Sequence, residues 1–295
     1  MNNKTIFTFV LLAVFVIFAC TQYNDESDFT AEPVDGISAM ITDYTGSSWA
    51  VRIPPKIQKL PVSIIGEMAF KNKQLTSVTL PASVTFIGES AFNSNQLISV
   101  TIQDSVTIIG DGAFSNNLIA SITIPENVTS IGQYAFAWNQ LTSVAIPDNI
   151  TSVRSGAFYG NELTSVTIPG SVTIIEEGAF YDNLLTSVTI PDSVTYIGDW
   201  AFNSNQLTSV TIPDSVTYIG DGAFSDNLLT SIAIPDSVIY IGEWAFYVTQ
   251  ITSVTIGNNV NIGHEGFPKN FVSYYNSTGR KAGTYNLQND SWTAE

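Results

Sequence analysis

The sequence has very little of three residue types on which many protein functions depend. It contains one cysteine, Cys20, and one histidine, His264, and its 10 basic residues are outnumbered by 26 acidic ones. The formal net charge of −16 argues against nucleic acid as the main partner, because a polyanion would be repelled. A single cysteine excludes an internal disulfide, so packing alone must stabilise the fold.

The motifs of common enzyme classes are also absent. The sequence has no Cys/His metal-binding spacing, no P-loop, and no G-x-G-x-x-G or G-x-S-x-G motif. Carboxylates do recur at fixed intervals, in the two sets Asp192, Asp214, Asp236 and Asp199, Asp221, Glu243. We interpret them as residues of solvated bends, with weak cation binding and acid–base catalysis as alternatives, because an active site is normally not repeated. The sequence predicts no enzyme, no metal and no cofactor.

The N-terminus is typical of an exported protein. Lys4 precedes an apolar run, Ile6–Ala19, which is short for a membrane span and predicts a signal peptide over residues 1–19. The run ends in I-F-A-C, which resembles a bacterial lipobox and implies lipidation of Cys20, with cleavage without a lipid as the alternative. Residues 20–36 are expected to comprise the lipidated cysteine and a flexible tether, because the segment after Cys20 is polar and acidic. We expect lipid anchoring at the outer membrane or cell surface.

One 22-residue unit is repeated along most of the chain. In the copy Gln206–Asn227, the positions of Leu207, Val210, Ile212, Val216, Ile219, Ala223 and Phe224 stay apolar in nearly every copy. Leu207–Ile212 has the spacing L-x-x-V-x-I, whose last part alternates as a strand does, and Pro213 ends the strand because it lacks an N–H donor. The Ala-Phe pairs end at Phe70, Phe92, Phe114, Phe136, Phe158, Phe180, Phe202, Phe224 and Phe246, and a looser copy follows at Phe267.

A single copy cannot bury its apolar side chains, so the copies must stack as coils of a solenoid. Parallel strands about 4.8 Å apart would then form a continuous sheet. The predicted solenoid covers residues 66–267, after an N-terminal cap or diverged repeat over 37–65. Residues 268–295 predict a C-terminal cap, in which the segments FVSYY and TYNLQ form a β-hairpin.

The repeat L-T-S-V-T-I-P-D-S-V-T-x-I-G-x-x-A-F-x-x-N resembles the BspA-like, or treponeme-type, leucine-rich repeat of bacterial surface lipoproteins. The resemblance covers about residues 51–267. It implies a leucine-rich-repeat solenoid of stacked parallel β-strands, with short turns or helical bends on its convex side. It also implies adhesion to host extracellular-matrix glycoproteins or to other cells, without catalysis, although a fold does not fix a function.

Two polar columns of the repeat have structural interpretations. Asparagine tolerates left-handed backbone and can bond to backbone groups or to a stacked asparagine. A column of asparagines therefore predicts a structural ladder. Its members are Asn95, Asn117, Asn139, Asn161, Asn183, Asn205 and Asn227. In a second column, represented by Gly220, glycine is replaced only by Arg154 and Glu176, which predict an exposed ion pair.

Two surfaces are candidates for binding. The strand face presents a regular array of Ser and Thr, such as Ser209 and Thr211, which is also what a solvated β-surface favours. Outside that face, the candidate protein-binding residues are Tyr196, Trp200, Tyr218, Tyr240 and Trp244. The alternative is that neighbouring coils bury these rings against each other. Further aromatic residues, Tyr134, Trp138, Tyr159, Tyr181 and Tyr247, lie nearby in the repeat.

The sequence therefore predicts a lipid-anchored surface solenoid that binds host matrix glycoproteins or other cells through a broad face. Two other functions stay open at this stage. The chain could be a stiff spacer or a self-associating coat protein. It could also bind ice through the Ser/Thr face, which would require that face to be flat.

Overall fold

The computed structural model describes residues 22–295, so Cys20 and the predicted signal peptide lie outside the described residues. A short 3-10 helix, Glu26–Asp28, comes first in this range, and one α-helix, α1 (Phe271–Ser277), lies near the C-terminus. The remaining regular structure is β-strand. Within residues 22–295, no helix is both long and apolar enough to cross a bilayer.

The repeats form two ladders of short parallel strands, whereas the sequence predicted one, and the strands of the first ladder are divided among three sheets. The first ladder contains the predicted L-x-x-V-x-I strand, in which Val78 is buried while Ser77 and Thr79 point outward. Its strands pair in register at the repeat spacing, as in Val144 with Val166. They are β3 (Ala50–Arg52), β6 (Ser77–Thr79), β8 (Val100–Thr101), β11 (Ser143–Ala145), β13 (Ser165–Thr167), β17 (Ser231–Ala233) and β19 (Ser253–Ile256).

The second ladder is formed by the two residues that precede the glycine column. Each of its inner strands is only two residues long, which is too short for a periodic pattern to reveal. The strands are β5 (Leu60–Ile65), β7 (Phe86–Ile87), β9 (Ile108–Ile109), β10 (Ser130–Ile131), β12 (Ser152–Val153), β14 (Ile174–Ile175), β15 (Tyr196–Ile197), β16 (Tyr218–Ile219), β18 (Tyr240–Ile241) and β20 (Asn261–Ile262). The isoleucines are mostly buried, and the residues before them face outward.

The core between the ladders contains a continuous spine of phenylalanines. The Ala-Phe phenylalanines from Phe70 to Phe246 are fully buried, and Phe267 extends the row. Successive rings stack with centroids between 4.7 and 5.8 Å apart. Offset stacking at this distance adds to the free energy gained by burial. The connections between the ladders are short turns, one of the two options that the sequence left open.

The second ladder is interrupted at Arg154. Strands β10 and β12 belong to separate sheets, whereas their neighbours on either side are paired. At Gly88, in the same column, an added Cβ would lie 2.8 Å from backbone atoms of the preceding coil. Arg154 carries that Cβ, but so does Glu176, whose N–H still donates to the Val153 carbonyl at 2.8 Å in a paired coil, so the added Cβ alone does not account for the interruption. Glu176 accepts hydrogen bonds from Ser152 and Ser155, and the ion pairs of residues 22–295 do not include the predicted Arg154–Glu176 pair.

The N-terminal segment caps the first coil and corrects the predicted tether. Strand β1 (Phe29–Val34) pairs antiparallel with β2 (Ser38–Tyr44), which pairs parallel with β5. A short strand, β4 (Lys56–Ile57), also pairs with β5. Residues 26–34 are therefore structured rather than a free tether. The misleading signal was their acidic, polar composition; Phe29 is nevertheless buried, with its ring 5.4 Å from that of Tyr44.

The C-terminal segment contains a hairpin cap, but its strands are not the predicted ones. The segment FVSYY forms α1, and the hairpin consists of β21 (Gly283–Gln288) and β22 (Ser291–Ala294). Strand β21 pairs antiparallel with β19 and so covers the end of the first ladder. Phe271 is buried 4.9 Å from both the Phe267 and Trp292 rings. Residues 1 and 5 of FVSYY are the buried ones, a spacing that fits a helix better than a strand.

Candidate binding surfaces

The asparagine column is buried and bonded to backbone, so it belongs to the scaffold. Asn161 Nδ2 donates to the carbonyl oxygens of Phe136 at 3.0 Å and Phe158 at 3.1 Å. Its Oδ1 accepts from the N–H of Leu141 at 3.1 Å. The seven asparagines of the column are only 3–8% exposed. Their polar atoms join each coil to the one before it and leave nothing for a ligand.

The recurring carboxylates also join coils. Asp199 Oδ1 accepts from the Asp221 N–H at 2.8 Å, and Asp221 Oδ1 accepts from the Glu243 N–H at 2.8 Å. These bonds give the Asp199 and Asp221 carboxylates of the second set a structural role. Among residues 22–295, no group of three or more His, Cys, Asp or Glu side chains is placed to hold a metal ion. His264 is exposed, and its Nε2 lies 3.9 Å from Glu265 Oε1.

The five candidate binding residues lie on three adjacent coils, and we call them together the aromatic stripe: Tyr196, Trp200, Tyr218, Tyr240 and Trp244. The three tyrosines begin β15, β16 and β18, so their rings lie above one another at 4.7 and 4.9 Å and nearly parallel. Tyr196 is 37% exposed, and Tyr218 and Tyr240 are half-buried. Neighbouring coils thus cover the ring faces while the ring edges stay accessible, which combines the two alternatives the sequence left open.

The two tryptophans of the stripe are held in an unusual backbone conformation. Trp200 and Trp244 have φ values of 58° and 55°, in the left-handed region that disfavours bulky residues. A Cβ added at Gly222, one coil on, would lie 2.5 Å from the Trp200 ring, so this ring packs over the glycine. Each tryptophan is still 36% exposed. The same left-handed backbone occurs in this column at Met68, Ser90 and Tyr134, so it belongs to the turn of the repeat.

The tyrosines of the stripe remain neutral over a wide pH range. Burial, helped by the neighbouring Tyr196 phenol and the Asp199 carboxylate, raises the pKa of Tyr218 to about 12. Burial is also the main reason why the pKa values of Tyr196 and Tyr240 are raised. The stripe therefore offers phenol hydroxyl groups, which both donate and accept hydrogen bonds, beside a row of carboxylates.

The Ser/Thr face lies on the first ladder and carries small, uncharged side chains. Ser143 and Ala145 in β11, and Ser165 and Thr167 in β13, are exposed on the outer side of their strands. None of the four offers a large ring or a charge to anchor a partner. Compared with the aromatic stripe, this face has few of the residue types that dominate binding energies.

The structure also assembles a groove that the sequence did not predict. Tyr134 and Trp138 lie at one end, and Trp200, part of the aromatic stripe, lies at the other. The sequence showed these rings only as scattered aromatics, because the groove depends on which glycines lie between them. The signal that could have revealed it is the alternation of aromatic residues and glycine at the 22-residue spacing.

Fold and surfaces together define a leucine-rich-repeat β-solenoid. The family model of the BspA type leucine rich repeat region matches residues 63–185 and 173–277 in six copies, and the chain belongs to this family. This confirms the resemblance found in the sequence. Leucine-rich-repeat proteins generally bind proteins, and their fold is typically non-enzymatic.

Solved structures of bacterial leucine-rich-repeat proteins are similar to the chain. A leucine rich cell surface protein of Faecalibacterium prausnitzii is 27% identical, with a TM-score of 0.53 over 88% of this chain and 98% of that chain. A leucine rich repeat protein of T. pallidum is 25% identical, with a TM-score of 0.40 over 75% of this chain and 85% of that chain. No curated protein is similar to the chain.

Proposed function

We propose that the protein is a surface-displayed solenoid that attaches to proteins or glycoproteins of the host extracellular matrix or of other cells. The observation that carries this proposal is the aromatic stripe, which groups five partly exposed Tyr and Trp side chains on adjacent coils. Tyr and Trp are enriched where alanine substitution costs the most binding energy. The similar Faecalibacterium prausnitzii structure is described as a cell surface protein, which supports the same location for this chain.

The fold favours attachment by area rather than by a deep pocket. The stripe is fixed by the ladder and by ring stacking, so a partner would not have to order it, and the entropic cost of association is reduced. Because the stripe repeats along the coils, several weak contacts can form at once and raise the apparent affinity.

We propose further that Cys20 carries a lipid that holds the protein at the membrane, in the outer membrane or at the cell surface. The I-F-A-C sequence before residue 21 supports this proposal. Cys20→Ser is expected to move the protein from the membrane fraction to the soluble fraction of the cells. An unchanged distribution between the two fractions would show that the anchor is not at Cys20.

The proposed function is tested by binding of residues 21–295 to a panel of immobilised matrix and plasma glycoproteins. The comparison is a stripe variant in which Tyr196, Trp200, Tyr218, Tyr240 and Trp244 are all replaced by serine. The left-handed column accepts serine, since Ser90 occupies it at φ 52°. Saturable binding that the stripe variant loses is the expected result.

The other outcomes separate the alternatives. Binding that survives in the stripe variant would place the contact on the Ser/Thr face or on the caps. If neither protein binds any member of the panel, the proposal fails, and a spacer or self-associating coat becomes the better account. Sedimentation over a range of concentrations would then distinguish those two.

A further inference from the structure

The groove between Tyr134 and Trp200 arises from one column of the repeat. Residues at this column have positive φ in successive coils: Tyr134, Gly156, Gly178, Trp200 and Gly222. Where the residue one coil earlier in this column is aromatic, its ring covers the glycine, as Tyr134 covers Gly156 and Trp200 covers Gly222. The residue one coil before Gly178 in this column is Gly156, which has no ring, so Gly178 stays uncovered. A Cβ added at Gly178 would meet only the Tyr181 Cβ, at 3.7 Å.

The result is an open slot of about 440 Å³ above Gly178, which we call the aromatic groove. Tyr134 and Trp138 form one end wall, with ring planes nearly parallel and centroids 5.9 Å apart. Trp200 forms the other end. A side wall is provided by Tyr159 and Tyr181, whose centroids are 4.9 Å apart. The volume is within the usual range of ligand sites.

The only charged residue that lines the groove is a carboxylate. Glu177 is exposed at its edge, whereas Arg154, the only basic residue between Gln74 and Pro268, is not part of the lining. The net charge of −16 adds to the negative potential around the groove. Aromatic faces attract cations through the ring quadrupole, and a carboxylate beside them strengthens the attraction. The groove is therefore complementary to a positive group.

We propose that the aromatic groove binds arginine side chains of an extended, basic segment of a partner protein. This inference rests on the proposed function, because it names the chemistry of a protein partner. Guanidinium is planar, stacks on aromatic faces and can donate two hydrogen bonds to one carboxylate, which matches the rings and Glu177. A neutral sugar could also stack on the rings, but it would not need the carboxylate.

The aromatic groove can be blocked without removing any of its rings. Gly178→Tyr adds a further ring at the opening, at a column where Tyr134, Trp200 and Trp244 already have left-handed backbone. Gly112→Tyr is the matched control. Gly112 has the same φ of 58°, and an added Cβ there meets only serine hydroxyls, at 3.4 and 3.5 Å. Thermal unfolding of the two variants checks that both are folded.

The probe is a fluorescently labelled peptide of alternating glycine and arginine, with binding to residues 21–295 followed by anisotropy. We expect Gly178→Tyr to weaken binding by at least about tenfold and Gly112→Tyr to leave it unchanged. Glu177→Gln should weaken binding about fivefold, whereas Glu89→Gln, the same charge change in the same column four coils away, should not. A peptide with glutamine in place of arginine should not bind.

Three results would overturn the inference. The first is a parent protein that does not bind the arginine peptide. The second is equal binding by Gly178→Tyr and Gly112→Tyr. The third is a neutral oligosaccharide that binds better than the peptide and whose binding is lost only in Gly178→Tyr. Running the glycoprotein panel with the same variants separates the two proposals, since failure on the panel with intact peptide binding contradicts only the proposed function.

Discussion

At the residue scale, the side chains that recur most strictly act as connectors between coils. Asn161 is bonded to backbone in its own coil and in the coil before it, and Asp199 bonds to the coil after it. The asparagine ladder could be predicted from the sequence because its spacing and residue type were sufficient. Its bonding to backbone, rather than to neighbouring asparagines, was one of two options that only the structure distinguishes.

Replacing one asparagine of the ladder should destabilise the fold strongly. Asn161→Ala leaves the buried Leu141 N–H without its partner and removes one of the two asparagine bonds to each of the Phe136 and Phe158 carbonyls, so we expect a loss of about 2–4 kcal/mol in the free energy of unfolding. The control is Asn127→Ala, since Asn127 is exposed and makes one side-chain bond, to the Asp104 carbonyl. Its expected cost is below about 1 kcal/mol, and urea denaturation measures both. Equal losses would contradict the structural role of the ladder.

Tyr218 should make stability sensitive to alkaline pH. Its pKa is raised by burial from 10.0 to about 12, so the folded state holds the phenol proton more tightly than the unfolded state does. The free energy of unfolding should therefore be unaffected by this group below about pH 10 and fall as the pH rises towards 12. Tyr218→Phe should reduce that fall, measured by urea denaturation across this range. The same fall in the parent and the variant would be inconsistent with the account.

At the scale of elements, the second ladder brings the glycine column of each coil close to the backbone of the coil before it. This ladder was not predicted, because its strands consist of two residues and carry no detectable period. The FVSYY segment was predicted as a strand from its β-favouring residues, but Phe271 and Tyr275 bury one helical face. In each case, packing against a neighbouring coil decided the local structure, and a single sequence shows that packing only indirectly.

A side chain added within the glycine column should separate two coils. An alanine Cβ at Gly220 would lie 2.6 Å from the Gly198 carbonyl carbon, so Gly220→Ala should cost about 1–3 kcal/mol in the free energy of unfolding. Gly170→Ala is the control, since nothing lies within 4 Å of its added Cβ and its φ is not positive. We expect it to be neutral or stabilising by up to about 1 kcal/mol. Thermal and urea unfolding of both variants would reveal whether Gly220 tolerates the methyl group as well as Gly170 does.

At the scale of the whole molecule, the repeat forms a continuous core and leaves variation for the surface. The phenylalanine spine runs from Phe70 to Phe267 and continues into both caps through Tyr44 and Phe271. The stacked coils and the family could be predicted from the sequence because all copies share one spacing. The aromatic groove could not, because it depends on ring orientation across coils and on the absence of a ring above Gly178.

The most direct test of the proposed function is the affinity of the stripe variant for the glycoprotein that the parent binds most tightly. A variant of the Ser/Thr face, with Ser143, Ser165, Thr167, Ser231 and Thr255 changed to alanine, matches it in number of substitutions. We predict at least about a hundredfold loss of affinity in the stripe variant and less than about a threefold change in the Ser/Thr variant. The reverse order, with affinity lost only from the Ser/Thr face, would contradict attachment through the aromatic stripe.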